Sequence, residues 1–101
     1  MNAEIERHFS AIEALCKKYG VTRLELFGSA TGSQFDPEHS DFDLIAAFAK
    51  TSGIEFVRFA DELEALLGRH VDVLFNQPIK NPFLRREIEA TRTVILDASI
   101  A

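Results

Sequence analysis

Leu26-Phe27-Gly28-Ser29-Ala30-Thr31-Gly32-Ser33, followed by Ser40-Asp41-Phe42-Asp43-Leu44, is the stretch on which the reading of the chain turns. Upstream of Gly28, Val21 to Phe27 alternates as a short strand does. From Gly28 to Ser40 the residues are those of a loop, with Gly28, Gly32 and Pro37 among Ser29, Thr31, Ser33 and Ser40. A second strand is expected from Asp41 to Phe48. Strand side chains alternate between faces, so Asp41 and Asp43 project to the same side. Two carboxylates at i and i+2 repel unless a cation lies between them. Carboxylate oxygens are hard donors suited to Mg²⁺ or Mn²⁺. Gly28 lets the backbone approach a ligand, successive N–H groups of such a turn can form an anion nest, and the Ser29 hydroxyl can donate to a phosphate oxygen. The parts together suit a metal-bound triphosphate.

Outward from this stretch, residues 3–19 read as one amphipathic helix, with Ile5, Phe9, Ile12, Cys16 and Tyr19 at helical spacing and Leu15 widening the stripe. The clearest helical period lies at 54–68, through Phe56, Phe59, Ala60, Leu63, Leu66 and Leu67, and Gly68 stops it. Val71 to Phe75 reads as a third strand. Asn81-Pro82 reads as N-cap and N1 of a last helix reaching about Ala90, and Thr91 to Asp97 as a final strand. The fold class is α+β, in the order α-β-β-α-β-α-β, one domain over 1–101.

The third strand carries Asp72 between Val71 and Val73. Flanking valines predict burial, and an isolated aspartate in a buried strand costs several kcal/mol unless paired. A metal held by Asp41 and Asp43 is the natural partner. His39 and His70 each precede an aspartate by two residues. Either can act as a base or support the site, but surface loop positions are the plainer reading, since magnesium prefers oxygen. Lys80, Arg85 and Arg86 form a small basic cluster that reads as a solvated helix face. Of the nine phenylalanines, most are expected in the core, and Phe35 in the loop is the one expected to be exposed.

Composition narrows the class. Apolar residues make up 47% and charged residues 27% of the 101, which is the globular range. A chain of this length buries roughly 65% of its unfolded surface, enough for one core. A single cysteine, Cys16, excludes an internal disulfide and reads as a small buried hydrophobe. Net charge −5 argues against sequence-independent nucleic-acid binding. No apolar run approaches the ~20 residues that span a bilayer, and the N-terminus lacks a signal core. The expectation is a cytoplasmic protein that binds neither membrane nor nucleic acid directly.

Gly28-Ser29, Asp41-x-Asp43 and Asp72, with Leu26-Phe27, Ser40, Leu44 and the Val71-Asp72-Val73 context, resemble the signature of the minimal nucleotidyltransferases (MNT), a branch of the DNA polymerase β-like nucleotidyltransferase superfamily. The resemblance spans nearly the whole chain. It implies a mixed β-sheet with helices packed against it. It also implies Mg²⁺-dependent transfer of AMP from ATP to a hydroxyl, with Asp41 and Asp43 bridging two metal ions, Asp72 completing one of them, and Gly28 and Ser29 binding the nucleotide. Such proteins commonly pair, as antitoxins, with a helical HEPN-domain toxin. One position departs: Gly32 stands where the family commonly carries a basic residue. Because a single small sheet leaves no second domain to enclose a small acceptor, a protein hydroxyl is the expected acceptor. An occluding, non-catalytic antitoxin of the same fold and a small-molecule nucleotidyltransferase are the alternatives, and self-association is left open.

Overall fold

The computed structural model describes residues 2–32, 36, 41–50, 52–75 and 79–98. Within them the chain forms α1 (Ala3–Arg7), α2 (Phe9–Tyr19), β1 (Val21–Phe27), a 3₁₀ turn (Gly28–Thr31), β2 (Phe42–Phe48), α3 (Gly53–Leu67), β3 (Val71–Phe75), α4 (Pro82–Thr91) and β4 (Thr93–Asp97). The strands lie in the order β3-β2-β1-β4. β1 runs antiparallel to both β2 and β4, while β2 and β3 are parallel, so the sheet is mixed as expected.

Period-2 alternation gives the sheet two different faces. Leu24, Leu26, Phe42, Leu44, Ala46 and Val71 meet Ile12 and Cys16 of α2 and Phe59 and Leu63 of α3 in the main core. Each of the larger aliphatic and aromatic side chains among these, fully buried, contributes roughly 1.5–3 kcal/mol. Burial pushes the Cys16 thiol up to about 11, with Glu13 adding to the shift, so it behaves as the inert hydrophobe expected. The opposite face carries a smaller cluster, Phe27 and Ile45 under Ile88 and Leu84 of α4. Among the described residues α4 and Ile79 pack on that face.

The local signals explain the element ends. Ser52 caps α3 by accepting from the Glu55 N–H at 3.3 Å. Gly68 ends α3 in the left-handed region at φ 71°, where a Cβ is strained. Asn81 accepts from the N–H groups of Phe83 and Leu84 at 2.9 and 3.2 Å, with Pro82 at the first helical position.

Three expectations need correction. The first helix is two: the chain turns at His8 (φ −101°, ψ 12°), and this re-aims α1 so that Ile5 reaches the main core while Arg69 clamps Glu4 with two hydrogen bonds at 3.0 and 2.8 Å. Residues 28–31 are a 3₁₀ turn rather than open loop. Finally, Thr91 ends α4 instead of opening β4. The phenylalanines divide: Phe27, Phe42 and Phe59 are buried, but Phe9, Phe75 and Phe83 are exposed. His39, Ser40 and Phe35 lie outside the described residues.

Candidate functional site

The site is assembled by strand register. β2 and β3 pair in parallel with Asp43 opposite Asp72, so their side chains share the α4-side face. One residue earlier the Phe42 N–H donates to the His70 carbonyl at 3.2 Å, which closes the ladder and holds Asp41 beside His70. The ligand atoms of Asp41, His70 and Asp72 then lie within 4.8 Å of one another, all three side chains exposed. Asp41 precedes β2 rather than opening it, and Asp43 is half-buried inside the strand.

On the other side of β2, Phe27 pairs with Asp43, so the chain leaves β1 at Gly28 directly against that aspartate. Gly28 adopts φ +79°, and a Cβ there would sit 2.9 Å from Asp43 Oδ2 and 3.5 Å from Glu87 Oε1. Thr91 fastens this turn to α4. Its Oγ1 accepts from the Gly28 N–H at 2.9 Å and donates to the Glu87 carbonyl at 2.6 Å. The Gly32 N–H donates to the Ser29 carbonyl at 3.2 Å. The expected nest is therefore narrower than the sequence suggested, because the Gly28 N–H is already taken. Ser29 follows, half-buried.

Electrostatics mark the same place. Burial raises the Asp43 pKa above the ordinary carboxylate value, and the charges of Asp72, Glu87 and Asp41 add to it, partly offset by His70. His70 is raised too, first by its hydrogen bond to Asp72 and by the Asp72 charge, with Glu64 and Asp41 adding to it and burial opposing. Its two ring nitrogens lie 2.8 Å from Glu64 and 2.8 Å from Asp72, so the protonated ring donates to both. Among the described residues no lysine or arginine pairs with Asp41, Asp43 or Asp72.

Two sequence readings change here. Asp72 is not buried; its side chain is 57% exposed, near the start of the edge strand β3. His70, read as a surface loop residue, is exposed but stands inside the acid cluster, and its i, i+2 spacing to Asp72 was the available signal. Glu87 and Thr91 had no such signal, since α4 is brought to Gly28 by the sheet topology alone. The basic cluster stands apart from these acids: Arg85 donates to the Ile79 carbonyl, and Lys80 and Arg86 are exposed.

The donor set fits a hard divalent cation, since several carboxylates converge and the repulsion registered by Asp43 is the kind that such an ion reverses. Comparison with known proteins gives the family. The nucleotidyltransferase domain family matches residues 10–95. A candidate protein adenylyltransferase of Methanocaldococcus jannaschii is 36% identical over 76 residues, covering 74% of this chain and 76% of the relative. The solved structure of a candidate minimal nucleotidyltransferase superposes with TM-score 0.70 at 30% identity, covering 92% of this chain and 95% of the other. An MNT antitoxin in complex with a tri-AMPylated Shewanella oneidensis HEPN toxin shares the fold, with TM-score 0.65 at 17% identity over 94% of this chain and 74% of the matched one. Matched over residues 10–95 and 36% identical to a relative over 76 residues, the chain belongs to the nucleotidyltransferase domain family.

Proposed function

We propose that this nucleotidyltransferase uses Mg²⁺ to transfer AMP from ATP to a hydroxyl of a partner protein, and that the partner is a HEPN-type toxin silenced by the modification. The observation that carries the reading is the convergence of Asp41, Asp43 and Asp72 at one exposed end of the sheet, with no lysine or arginine among the described residues to pair with them. The relatives named as protein adenylyltransferases, and the toxin complex whose toxin carries AMP, support the choice of nucleotide and acceptor.

In this mechanism Asp41, Asp43 and Asp72 would hold divalent cations, which when bound would neutralise phosphate charge and acidify the acceptor hydroxyl. Ser29 donates to a phosphate oxygen, and the turn fixed by Thr91 sets where the triphosphate lies. The acceptor oxygen bonds to the α-phosphorus, the bond from that phosphorus to the bridging oxygen breaks, and pyrophosphate departs with its electron pair. The acceptor proton passes to solvent. Positioning and charge neutralisation supply most of the rate.

A second reading has its own observation. The turn from Gly28 to Gly32 holds no basic side chain, and an occluding antitoxin would not need one. Intact-mass spectrometry of the HEPN partner, co-expressed with the parent chain and with Asp41→Ala, separates the two. AMP-sized increments that require Asp41 support transfer. Full neutralisation of an unmodified partner selects occlusion.

A further inference from the structure

Glu87 is a carboxylate at this site that neither the motif nor the mechanism uses. It comes from α4, and its Oε1 lies 3.5 Å from where a Cβ on Gly28 would stand, with Asp43 Oδ2 2.9 Å from the same point. Thr91, one turn further along α4, bonds to the Gly28 N–H and to the Glu87 carbonyl, so helix and turn move as a unit. Two negative groups therefore flank the turn proposed to receive a triphosphate, and residues 28–32, Gly-Ser-Ala-Thr-Gly, bring no positive one. Phosphate meeting such a turn without a cation is repelled; with cations on the acids, the repulsion is cancelled.

We propose that Glu87 is a specificity-determining residue that makes nucleotide binding at the Gly28–Ser29 turn conditional on a divalent cation. The proposal rests on the transferase reading above and deepens it. Glu87 does not need to touch the reacting atoms; its carboxylate, exposed on α4 and placed beside Gly28, excludes the metal-free nucleotide. Biologically, such a gate keeps the turn from filling with unproductive ATP.

The test is nuclear magnetic resonance of the ¹⁵N-labelled chain, following the Gly28 and Ser29 amides as ATP is added in EDTA and then in Mg²⁺. The variants are Glu87→Gln, Glu87→Asp and Glu89→Gln. Glu89 lies two residues on, around the other side of α4 and exposed, so it removes the same net charge away from the turn. In EDTA, Glu87→Gln should bind ATP roughly five- to tenfold more tightly than the parent, as one nearby charge removed implies. Glu87→Asp keeps the charge and should stay weak, and Glu89→Gln should remain within about twofold of the parent. Unchanged metal-free affinity in Glu87→Gln, beside a normal Mg²⁺-ATP response in the parent, overturns the gate alone. An equal gain in Glu89→Gln also overturns it, by showing a general charge effect. A parent chain that shows no response to Mg²⁺-ATP overturns the transferase reading and the gate with it. The dispersion of each spectrum reports whether the variant is folded.

Discussion

Gly28→Ala is the most exacting perturbation of the site, because its effect can be built from two separable causes. The first is backbone. At φ +79° an L side chain is strained, and the left-handed conformation costs a non-glycine residue about 1–2 kcal/mol. The second is contact. The new Cβ would stand 2.9 Å from Asp43 Oδ2, closer than a carbon and an oxygen tolerate, so the Asp43 side chain must leave its rotamer at a further cost of about 0.5–1.5 kcal/mol. Together these come to roughly 1.5–3.5 kcal/mol, or about 6–28 °C in melting temperature for a domain of this size. Gly68→Ala is the control. Gly68 has nearly the same φ, +71°, but a Cβ there meets nothing within 4 Å, so only the backbone cause applies. Circular-dichroism melts in EDTA should therefore rank Gly28→Ala below Gly68→Ala by several degrees. Repeating them with Mg²⁺ adds a functional readout. Ligand at a hundred times its dissociation constant stabilises by about 2.7 kcal/mol, and this gain should survive in Gly68→Ala and shrink in Gly28→Ala, whose Asp43 has been displaced. Equal melting temperatures for the two variants, with equal Mg²⁺ stabilisation, would refute the claim that Gly28 is glycine to make room for the acids.

Asp43→Asn should abolish AMP transfer, by on the order of a hundredfold or more, yet raise the melting temperature of the metal-free protein at neutral pH. Because the folded pKa of Asp43 is raised, by burial first and by Asp72, Glu87 and Asp41 after it, its favourable contribution is complete below the unfolded value and is lost as pH rises through the folded one. The metal-free parent should thus gain on acidification a share of stability that Asp43→Asn does not, as parallel pH melts would show. Glu25 has the opposite sign. Burial raises it, but hydrogen bonds from Arg92 and Arg23 outweigh burial and hold its pKa below the ordinary value, so its contribution is present above that value and lost as pH falls through the lowered one. Arg92→Ala, which leaves Arg23 as the partner of a 2% exposed carboxylate, should cost about 1–3 kcal/mol in urea denaturation and weaken that acid-side dependence. Gly32→Arg has open space around its Cβ and an extended backbone, so it should fold normally. A well-placed charge contact would then tighten calorimetric ATP binding by about 1.5–3 kcal/mol.

What the sequence revealed was whatever depends on near neighbours. Alternation along Val21–Phe27 and Phe42–Phe48, the period of α3, and the Gly68 and Asn81-Pro82 boundaries all act within a few residues, and the structure follows them. Asp41, Asp43 and Asp72 were found as a pattern, but the depth of Asp72 was misjudged. Two valines make a strand look covered on both sides, whereas Val71 and Val73 turn to the main core and Asp72 turns away from it at an edge. The break at His8 was hidden because the apolar period runs through it unbroken. Glu25 was invisible for a different reason: alternation points it away from the main core, which reads as exposure. Only β4 and the end of α4, 67 residues on, bring Arg92 over it. Thr91 reaches Gly28 across 63 residues, and Glu87 comes with the same helix. Such partners have no spacing in the sequence to be recognised by.

Glu25 and the acids of the site lie on the same face of the same sheet, and the difference between them is the strongest physical argument for a ligand. At Glu25 the fold answers one buried carboxylate with two guanidinium groups, Arg23 and Arg92, each at 2.5 Å, and Arg23 also pairs with Asp97. At Glu4 it answers an acid with Arg69. The chain therefore has the means to neutralise acids internally and uses it where the acids serve structure. Less than the length of β1 away, at Asp41, Asp43, Asp72 and Glu87, it supplies among the described residues one imidazole, and that imidazole is shared with Glu64. Gly32 withholds a charge at the turn as well. Repulsion left standing in a folded protein lowers its stability unless something that binds the folded state removes it. Divalent cations carrying a triphosphate would remove it. The same imbalance that weakens the metal-free protein would thus make binding of the metal and the nucleotide strongly coupled.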